Sequence, residues 1–286
     1  MINYDQQLIF LVTNALAEDI GDGDHSTLSA ILPDAKGGAV LKIKEEGILA
    51  GIAVAEKIFR VMQPDINFTP IKKDGEQMSY GEIAFKVEAD IHTILQCERL
   101  VLNCMQRMSG IATLTRKYTD ILKGYSTRLL DTRKTTPGFR LLEKDAVRIG
   151  GGVNHRFGLY DMIMLKDNHI DYCGGIEKAI EMAYAYVQTK KPGLQIEVET
   201  RTIEDVKRVM AVGKVNRIML DNYTPELITE ALKIINGQYE TEASGGIDLT
   251  NIEAYAATGV DYISSGAIIH QAQSVDLSLK AVVINQ

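Results

Sequence analysis

Hydrophobic residues keep a helical spacing at the start of the chain and then change to short runs broken by glycine. An amphipathic first helix is predicted, because apolar residues recur at helical intervals there: Leu8, Ile9, Leu11, Val12, Ala15 and Leu16. Residues 39–87 contain short apolar runs punctuated by glycine, with a helical stretch at 54–62 between them. The pattern predicts that the chain begins with a small α+β unit.

The middle of the chain returns to helical spacing and then changes again. Residues 94–122 predict two helices that meet near Ser109-Gly110, and the charged residues Glu98, Arg99 and Arg107 there are interpreted as surface or snorkelling positions. After Ser126 the pattern becomes strand, loop and helix, repeated with the period of the βα units of a barrel. The predicted strands end at Asp131, Lys166, Glu199, Asp221, Ser244 and Ser264.

Acidic residues fall where two of the predicted barrel strands end. Apolar and polar side chains alternate along residues 194–199, so Glu197 and Glu199 share one face of that strand. Glu199 is nearer the carboxyl end, and Asp221 ends the next strand in the same way. The wet face of an edge strand is the alternative, but βα units on both sides disfavour an edge. Glu199 and Asp221 are therefore predicted to face a ligand.

Cationic residues are predicted at the same rim. Arg133 and Lys134 follow one apolar strand directly, and Lys166 follows the next. A run of charges is usually a solvated face, but side chains delivered by strand ends onto one rim are how α/β sheets and barrels build anion sites. His155 and Arg156, between these two strands, complete the candidate cations.

Composition and charge limit the classes of partner. The 286 residues are 45% hydrophobic and 24% charged, as in an ordinary globular protein. The formal charge of −7 disfavours nucleic acid, because no excess of basic residues displaces counterions. The N-terminus predicts no signal peptide, no apolar run reaches membrane-spanning length, and the three cysteines lack metal-binding spacing. We therefore expect a cytoplasmic protein with reduced thiols and no membrane partner.

Two glycine-rich segments follow the last two predicted strands. They are Ser244-Gly245-Gly246 and Ser264-Ser265-Gly266. Glycine lets backbone N–H groups approach a phosphate, and barrels commonly bind phosphate after their last two strands. A phosphate loop, an acidic pair and a cationic cluster together fit a phosphorylated sugar whose leaving group is anionic.

The chain resembles the quinolinate phosphoribosyltransferases, also called nicotinate-nucleotide pyrophosphorylases (carboxylating). Eight matching sequence words occur in family order, and the N-terminal pattern also fits, so the resemblance covers nearly the whole chain. The words are CERLVLN (97–103), RMSGIAT (107–113), DTRKTTPG (131–138), GGVNHRFGLYDMIMLKDNHI (151–170), EVE (197–199), LDN (220–222), EASGG (242–246) and GVDYISSGA (259–267).

The resemblance implies the type II phosphoribosyltransferase architecture, an α/β fold with two domains. Residues 1–110 would form an N-terminal α/β sandwich that the C-terminal tail, residues 270–286, completes. Residues 111–269 would form an open, atypical α/β barrel that carries the catalytic site.

The resemblance also implies a reaction and its residues. Quinolinate and phosphoribosyl pyrophosphate, with Mg²⁺, would give nicotinate mononucleotide, pyrophosphate and CO₂ in NAD synthesis. Lys134, Lys166, Glu199 and Asp221 would be catalytic, and Glu199 and Asp221 would also hold the metal ion. The substrates would be bound by these four residues together with Arg99, Arg133, His155, Arg156, Ser244, Gly245, Gly246, Ser264, Ser265 and Gly266.

The assembly and two residue roles stay open at this point. Arg99 matches an arginine that enters the neighbouring subunit's site, so a homodimer would be the minimal unit, with a hexamer as the alternative. Either Glu197 or Glu199 could contact the ligand. His25 is interpreted as a turn residue.

Three other functions remain as alternatives. A related group found with molybdate transport genes shares DTRKTTPG but tends to lose the KDNH word, which is intact here at 166–169. A Schiff-base aldolase or decarboxylase would use Lys166 at its strand end but would leave Arg133 and Arg156 unexplained. A non-catalytic nucleotide-binding or sensing protein is the third alternative.

Overall fold

The computed structural model describes residues 3–282, which form two compact units. The first unit contains the described residues up to Arg116, the segment Thr135–Gly151 and the described residues from Ile269 onward. The second contains Lys117–Lys134 and Gly152–Ile268. Across this part of the chain, every helix is too short or too polar to cross a membrane.

The described residues form eleven helices and twelve strands. The helices are α1 (Tyr4–Ile20), α2 (His25–Ala30), α3 (Ile52–Met62), α4 (Ile91–Ile121), α5 (Arg140–Gly150), α6 (Asp167–Cys173), α7 (Ile176–Lys190), α8 (Ile203–Val212), α9 (Pro225–Ile235), α10 (Ile252–Ala256) and α11 (Ala267–His270). The strands are β1 (Lys36–Ile43), β2 (Gly47–Ile48), β3 (Asn67–Pro70), β4 (Gln77–Met78), β5 (Ile83–Asp90), β6 (Arg128–Leu130), β7 (Ile163–Leu165), β8 (Ile196–Thr200), β9 (Arg217–Asp221), β10 (Glu240–Ser244), β11 (Tyr262–Ser264) and β12 (Leu277–Val282).

An antiparallel sheet of order β12-β1-β5-β3 forms the framework of the first unit. β1 pairs with β12 from Gly38↔Val282 to Ile43↔Leu277. The last described strand therefore lies beside the first strand of the chain in one sheet. Helix α3 buries Phe59 beside the strand residues Phe68 and Phe85, whose rings lie 4.6 Å apart. Burial of such aromatic side chains stabilises the fold by roughly 1.5–3 kcal/mol each.

The prediction of two helices meeting near Ser109-Gly110 was wrong, because α4 is one continuous helix. The Ser109 hydroxyl accepts the Ala50 N–H at 2.9 Å and lies 3.1 Å from the Ala50 carbonyl. A Cβ on Gly110 would lie 1.9 Å from the Gln273 carbonyl oxygen. The small residues therefore mark close packing within the first unit and not a helix break.

The interpretation of Arg107 as a surface or snorkelling position was also wrong. Its guanidinium donates to the fully buried Glu143 carboxylate at 2.9 and 3.0 Å. It also donates to the carbonyls of Ile269 and Ala272. Arg107 therefore ties α4 to α5 and to the C-terminal segment.

His25 was interpreted as a turn residue, but it begins the short helix α2. The Asp24 carboxylate caps this helix by accepting the Thr27 N–H at 3.1 Å. Aspartate is a preferred N-cap residue because its side chain satisfies an N–H that the first turn leaves without a partner.

Six parallel strands of order β6-β11-β10-β9-β8-β7 form the sheet of the second unit. Because all six run the same way, their carboxyl ends meet at one edge. The sequence Thr224-Pro225-Glu226 predicts a helix start and Asn236-Gly237 a helix stop. Both predictions are confirmed, since Thr224 caps α9 and Asn236 adopts the left-handed conformation after it. The predicted α/β fold class, with an open arrangement of the parallel strands, is confirmed.

Candidate active site

Lys166 and Glu199 face each other across the carboxyl edge of the parallel sheet. Lys166 directly follows β7, and Glu199 lies near the end of β8, which pairs with β7. The Lys166 ammonium donates to Glu199 Oε2 at 2.9 Å. Glu199 is only 8% exposed, whereas the Lys166 side chain is 46% exposed. The lysine can therefore exchange this partner for an anionic ligand.

Asp221 ends β9 and is held by its neighbours. Its Oδ1 accepts the Ser244 hydroxyl at 2.6 Å, and its Oδ2 accepts the Asn222 amide at 2.6 Å. Ser244 ends the adjacent strand in register with Asp221. Each carboxylate oxygen accepts one of these bonds and has a second lone pair for a further donor or a cation.

Gly245, which follows Ser244, must be glycine because Asn222 leaves no space for a side chain there. Gly245 has φ +96°, and a Cβ there would lie 2.1 Å from Asn222 Oδ1. Gly246 also has a positive φ, +64°, but nothing lies near its missing Cβ. The main chain of this segment is therefore bare at Gly246, which suits close approach of a ligand phosphate.

Arg133 and Arg156 are close enough to repel each other. Burial, and next the charge of Arg133, lower the pKa of the Arg156 guanidinium below its ordinary value. Arg133 is exposed in the loop after β6, and Arg156 is half-buried and donates to the Met162 carbonyl at 3.2 Å. Because an arginine stays charged, an anion between the two would relieve the repulsion. Lys134 follows Arg133 and is exposed.

His155 lies below this rim, inside the second unit. It is 9% exposed, and its Nε2 lies 3.0 Å from Glu197 Oε2 and 3.1 Å from Glu242 Oε2. Burial alone would lower the pKa of His155, but these two carboxylates outweigh it and raise the pKa to about 9. Burial, and then the Glu242 charge, raise the pKa of Glu197 to about 7. The two carboxylates therefore favour the charged form of the ring.

The serines after β11 are buried and bonded within the protein. Ser265 donates its N–H to the Leu130 carbonyl at 3.1 Å and its hydroxyl to the Ile247 carbonyl at 2.8 Å. Ser264 and Ser265 are 8% and 4% exposed. Gly266 follows, directly before α11. The hydroxyl of Ser265 therefore connects the loop after β11 to the loop after β10.

Arg99 belongs to the first unit, on α4, apart in sequence from the residues of the sheet edge. Its side chain is 69% exposed and lies 3.8 Å from Glu98. A contact this long and exposed contributes little. The guanidinium therefore stands at the surface, where it can contact another molecule.

Two sets of oxygen and nitrogen donors have the chemistry of a cation site. Glu199 and Asp221 offer carboxylate oxygens at neighbouring strand ends, which fits Mg²⁺, because that ion binds one or two carboxylates and completes its shell with waters and phosphates. His155, Glu197 and Glu242 form a buried set whose ligand atoms all lie within 4.8 Å of one another. Arg217, however, already places its Nη1 3.1 Å from Glu242 Oε2.

Sequence reasoning missed Glu242 and Arg217 as parts of the site region. Nothing in the sequence around Glu197 or Glu242 indicates that the two residues lie close together. They meet because β8 and β10 lie on either side of β9 in the sheet. The sequence did contain one signal for this group. Glu197 and Glu242 each lie two positions before the predicted end of a strand, at Glu199 and Ser244, and therefore on the same face as the residue at that end.

Family models match both parts of the chain. Residues 24–109 match the model described as the N-terminal domain of quinolinate phosphoribosyl transferase. Residues 111–280 match the model of its C-terminal domain.

Individual relatives agree with the family models. The chain is 44% identical to quinolinate phosphoribosyltransferase [decarboxylating] 1b of Nicotiana tabacum, over 93% of this chain and 80% of that protein. It is 41% identical to the probable nicotinate-nucleotide pyrophosphorylase [carboxylating] of Bacillus subtilis, over 98% of this chain and 95% of the relative. The solved structure of the nicotinate-nucleotide pyrophosphorylase from Francisella tularensis is 38% identical, covers 97% of both chains and superposes with a TM-score of 0.89.

Proposed function

Because this chain belongs to the quinolinate phosphoribosyltransferase family, we propose that it transfers phosphoribose from phosphoribosyl pyrophosphate to quinolinate. The products are nicotinate mononucleotide, pyrophosphate and CO₂, and the reaction serves NAD synthesis. The observation that carries the proposal is the group of cations at the carboxyl edge, where Lys166 directly follows β7. Asp131 accepts the His155 N–H at 2.8 Å and so places the loop of Arg133 beside the segment of Arg156, whose pKa the charge of Arg133 helps to lower.

In this proposal the three cations bind the two carboxylates of quinolinate. Arginine matches a carboxylate with two parallel N–H donors, and a dianion removes the repulsion between Arg133 and Arg156. Lys166 gives up part of its contact with Glu199 to bind the same dianion. A monocarboxylate such as nicotinate would leave one cation without a partner.

Glu199 and Asp221 are proposed to bind the ribose hydroxyls and Mg²⁺. Both carboxylates stand at the carboxyl edge, and the hydrogen bonds from Ser244 and Asn222 hold Asp221 in one orientation. A bound Mg²⁺ would neutralise charge on the departing pyrophosphate. Removal of divalent cations with EDTA should therefore abolish turnover, and added Mg²⁺ should restore it.

The glycine segments are proposed to bind the 5′-phosphate, and Lys134 the pyrophosphate. The main chain is bare at Gly246, which leaves room for a phosphate, and Ser244 lies two residues before it. In the segment after β11, main-chain groups of Ser264, Ser265 and Gly266 would bind the phosphate, because the Ser265 hydroxyl already donates to the Ile247 carbonyl. Lys134 is an exposed cation in the loop that also carries Arg133.

The chemistry requires positioning and charge and no nucleophilic side chain. The pyridine nitrogen attacks the anomeric carbon as pyrophosphate leaves, and cations near the leaving group stabilise the charge that develops there. The alkylated nitrogen is then positive. It stabilises the carbanion left when the adjacent carboxylate departs as CO₂, and a solvent proton completes the ring. Lys166 acts by charge in this scheme and not as a Schiff base.

Assembly and location belong to the same proposal. The exposed guanidinium of Arg99 supports a homodimer in which it reaches the neighbouring subunit's site, alone or within a hexamer. Three free cysteines, two of them buried, support a reducing compartment, and we propose the cytoplasm. Some plant relatives are named chloroplastic, so fractionation of the native cells is the check.

Steady-state turnover with quinolinate and with nicotinate, each with phosphoribosyl pyrophosphate and Mg²⁺, tests the proposed function. We expect turnover with quinolinate only, and a loss of roughly 100-fold in kcat/KM when Arg156 is replaced by glutamine. Arg208→Gln is the matched control, because that arginine forms an exposed ion pair with Glu177 in the same unit. Turnover with neither pyridine would favour a binding protein.

A further inference from the structure

An ion pair in the first unit joins two parts of the chain that are far apart in sequence. Glu143 on α5 is fully buried, and the side chain of Arg107 on α4 is 23% exposed. The guanidinium donates to Glu143 Oε1 through Nε at 3.0 Å and through Nη2 at 2.9 Å. A buried carboxylate is unfavourable unless donors compensate for the lost water, so the position of Glu143 depends on the groups that donate to it.

Glu143 also holds the segment that follows Lys134. Its Oε2 accepts the Thr136 N–H at 2.8 Å, and its Oε1 accepts the Thr136 hydroxyl at 2.9 Å. The carboxylate thus accepts from both Arg107 and Thr136, and each of its oxygens has a donor. Lys134 lies two residues before Thr136 in the chain. These contacts therefore fix the chain shortly after the lysine proposed to bind pyrophosphate.

Arg107 holds the segment that follows Ser264-Ser265-Gly266. Its Nη2 donates to the Ile269 carbonyl at 2.9 Å, and its Nη1 donates to the Ala272 carbonyl at 2.7 Å. Gly266 lies three residues before Ile269 in the chain. The guanidinium therefore fixes the chain shortly after the main-chain groups proposed to bind the 5′-phosphate.

The helix that carries Arg107 is packed closely against the same C-terminal segment. The Gln106 carbonyl accepts the Val275 N–H at 3.2 Å. A Cβ on Gly110 would lie 1.9 Å from the Gln273 carbonyl oxygen, so the two main chains touch there. The Arg107 side chain therefore extends from a main chain whose distance to the C-terminal segment is fixed.

Phosphoribosyl pyrophosphate carries its two anionic groups on one sugar. The ribose ring separates the 5′-phosphate from the pyrophosphate on the anomeric carbon, so the segments that bind these groups must stand at the matching distance. A ligand that engages two sites at once gains affinity only when the geometry permits both contacts. A misplacement of about 1 Å can reduce activity on the order of 100-fold.

We propose that Arg107 and Glu143 are positioning residues for phosphoribosyl pyrophosphate, and that their ion pair sets the distance between its two phosphate-binding segments. The inference rests on the proposed function and deepens it. Neither side chain contacts the substrate in this proposal. Arg107 fixes the chain after Gly266, Glu143 fixes the chain after Lys134, and the bonds between the two side chains fix one segment relative to the other.

Binding of the whole donor and of its two halves separates a change of spacing from local damage. Arg107→Lys keeps a positive charge beside Glu143 but loses the planar fork that also reaches the two carbonyls. In calorimetry we expect the Kd of phosphoribosyl pyrophosphate with Mg²⁺ to rise roughly 10-fold in R107K. The Kd values of pyrophosphate with Mg²⁺ and of ribose 5-phosphate should each change less than about 2-fold, because each half needs only one segment.

Two control variants show what the exchange of arginine for lysine and a loss of stability do by themselves. Arg148→Lys makes the same exchange in the exposed pair with Asp145. Phe59→Leu lowers stability by removing volume from the core of the same unit. Both variants should bind phosphoribosyl pyrophosphate as the wild type does. Unchanged affinity in R107K, or a loss that F59L or the isolated halves reproduce, would overturn the proposal.

Thr136→Val tests the same link with both charges in place, and it decides the question if R107K does not fold. The change removes the hydroxyl that donates to Glu143 and leaves the Thr136 N–H bond possible. We expect the Kd of phosphoribosyl pyrophosphate to rise roughly 5-fold, again with less than about 2-fold change for either half. Pyrophosphate weakened as much as the whole donor would show that Glu143 serves only the segment after Lys134, which would overturn the role in spacing.

Failure of the proposed function gives a different result. A wild-type protein that binds neither phosphoribosyl pyrophosphate nor its halves would contradict that function before any variant is compared. Wild-type binding that both variants retain in full would leave the function in place and overturn only the role of the ion pair.

Discussion

At the scale of single residues, the buried acids should make stability depend on pH. The pKa of Glu197 is raised to about 7, chiefly by burial, and that of His155 to about 9 by the two carboxylates. Their unfolded values are about 4.3 and 6.5. The folded state therefore holds these protons more tightly, and stability is lost as pH rises through 7 and then 9.

Replacing Glu197 by glutamine should remove its part of this dependence. We expect the free energy of unfolding of E197Q, relative to wild type, to improve by roughly 2 kcal/mol between pH 5 and pH 9. Urea unfolding at both pH values measures it, and E240Q should show no such change because Glu240 is half-exposed. A constant difference between E197Q and wild type would mean that Glu197 ionises as freely in the folded protein as in the unfolded chain.

Residue types at strand ends were predictable, and their partners were not. Lys166, Glu199 and Asp221 stand out because each polar residue follows an apolar strand. The contact of His155 with Glu242 joins positions 87 apart in the chain, through strands whose order a single sequence does not specify.

At the scale of elements, the Arg107–Glu143 pair should be a main support of the first unit. Glu143 is fully buried and accepts from Arg107 and from the Thr136 N–H and hydroxyl. Arg107→Met leaves a buried carboxylate without its cation, so we expect a loss of about 3–5 kcal/mol in the free energy of unfolding. Arg148→Met, which breaks the exposed pair with Asp145, should cost less than about 1 kcal/mol. Chemical denaturation compares the two, and similar losses would contradict the role of Arg107.

Helix and strand identities followed from spacing more reliably than helix ends did. Helix α9 was predicted at both ends because Thr224, Pro225 and Asn236 carry local capping chemistry. The predicted helix break at Ser109-Gly110 was wrong. Glycine is needed at position 110 because the Gln273 carbonyl, far along the chain, packs where a side chain would stand, and not because the helix ends there.

At the scale of the whole molecule, the exposed Arg99 predicts a shared site. Arg99→Ala and Arg133→Ala should each be inactive alone. After subunit exchange, half of the random dimers are mixed and one of their two sites is intact, so roughly a quarter of the wild-type activity should return. Absence of rescue, with exchange proven by differently tagged subunits, would place Arg99 outside the neighbouring site.

The sequence alone predicted the fold class and the parallel sheet because periodicity and turn residues are local properties. Assembly is not local, since it depends on surfaces such as that of Arg99 and on a second copy of the chain.

The order of the chemical steps is the central claim, and labelled quinolinate tests it most directly. Quinolinate carrying ¹⁴C in the carboxylate next to the ring nitrogen is incubated with enzyme, Mg²⁺ and phosphoribosyl pyrophosphate, and CO₂, pyrophosphate and nicotinate mononucleotide are counted together. We expect one of each per turnover and no CO₂ when the phosphoribosyl donor is omitted, because the ring nitrogen must be alkylated before the carboxylate can leave. CO₂ released without the donor, together with a borohydride-trapped adduct on Lys166, would instead identify a Schiff-base decarboxylase.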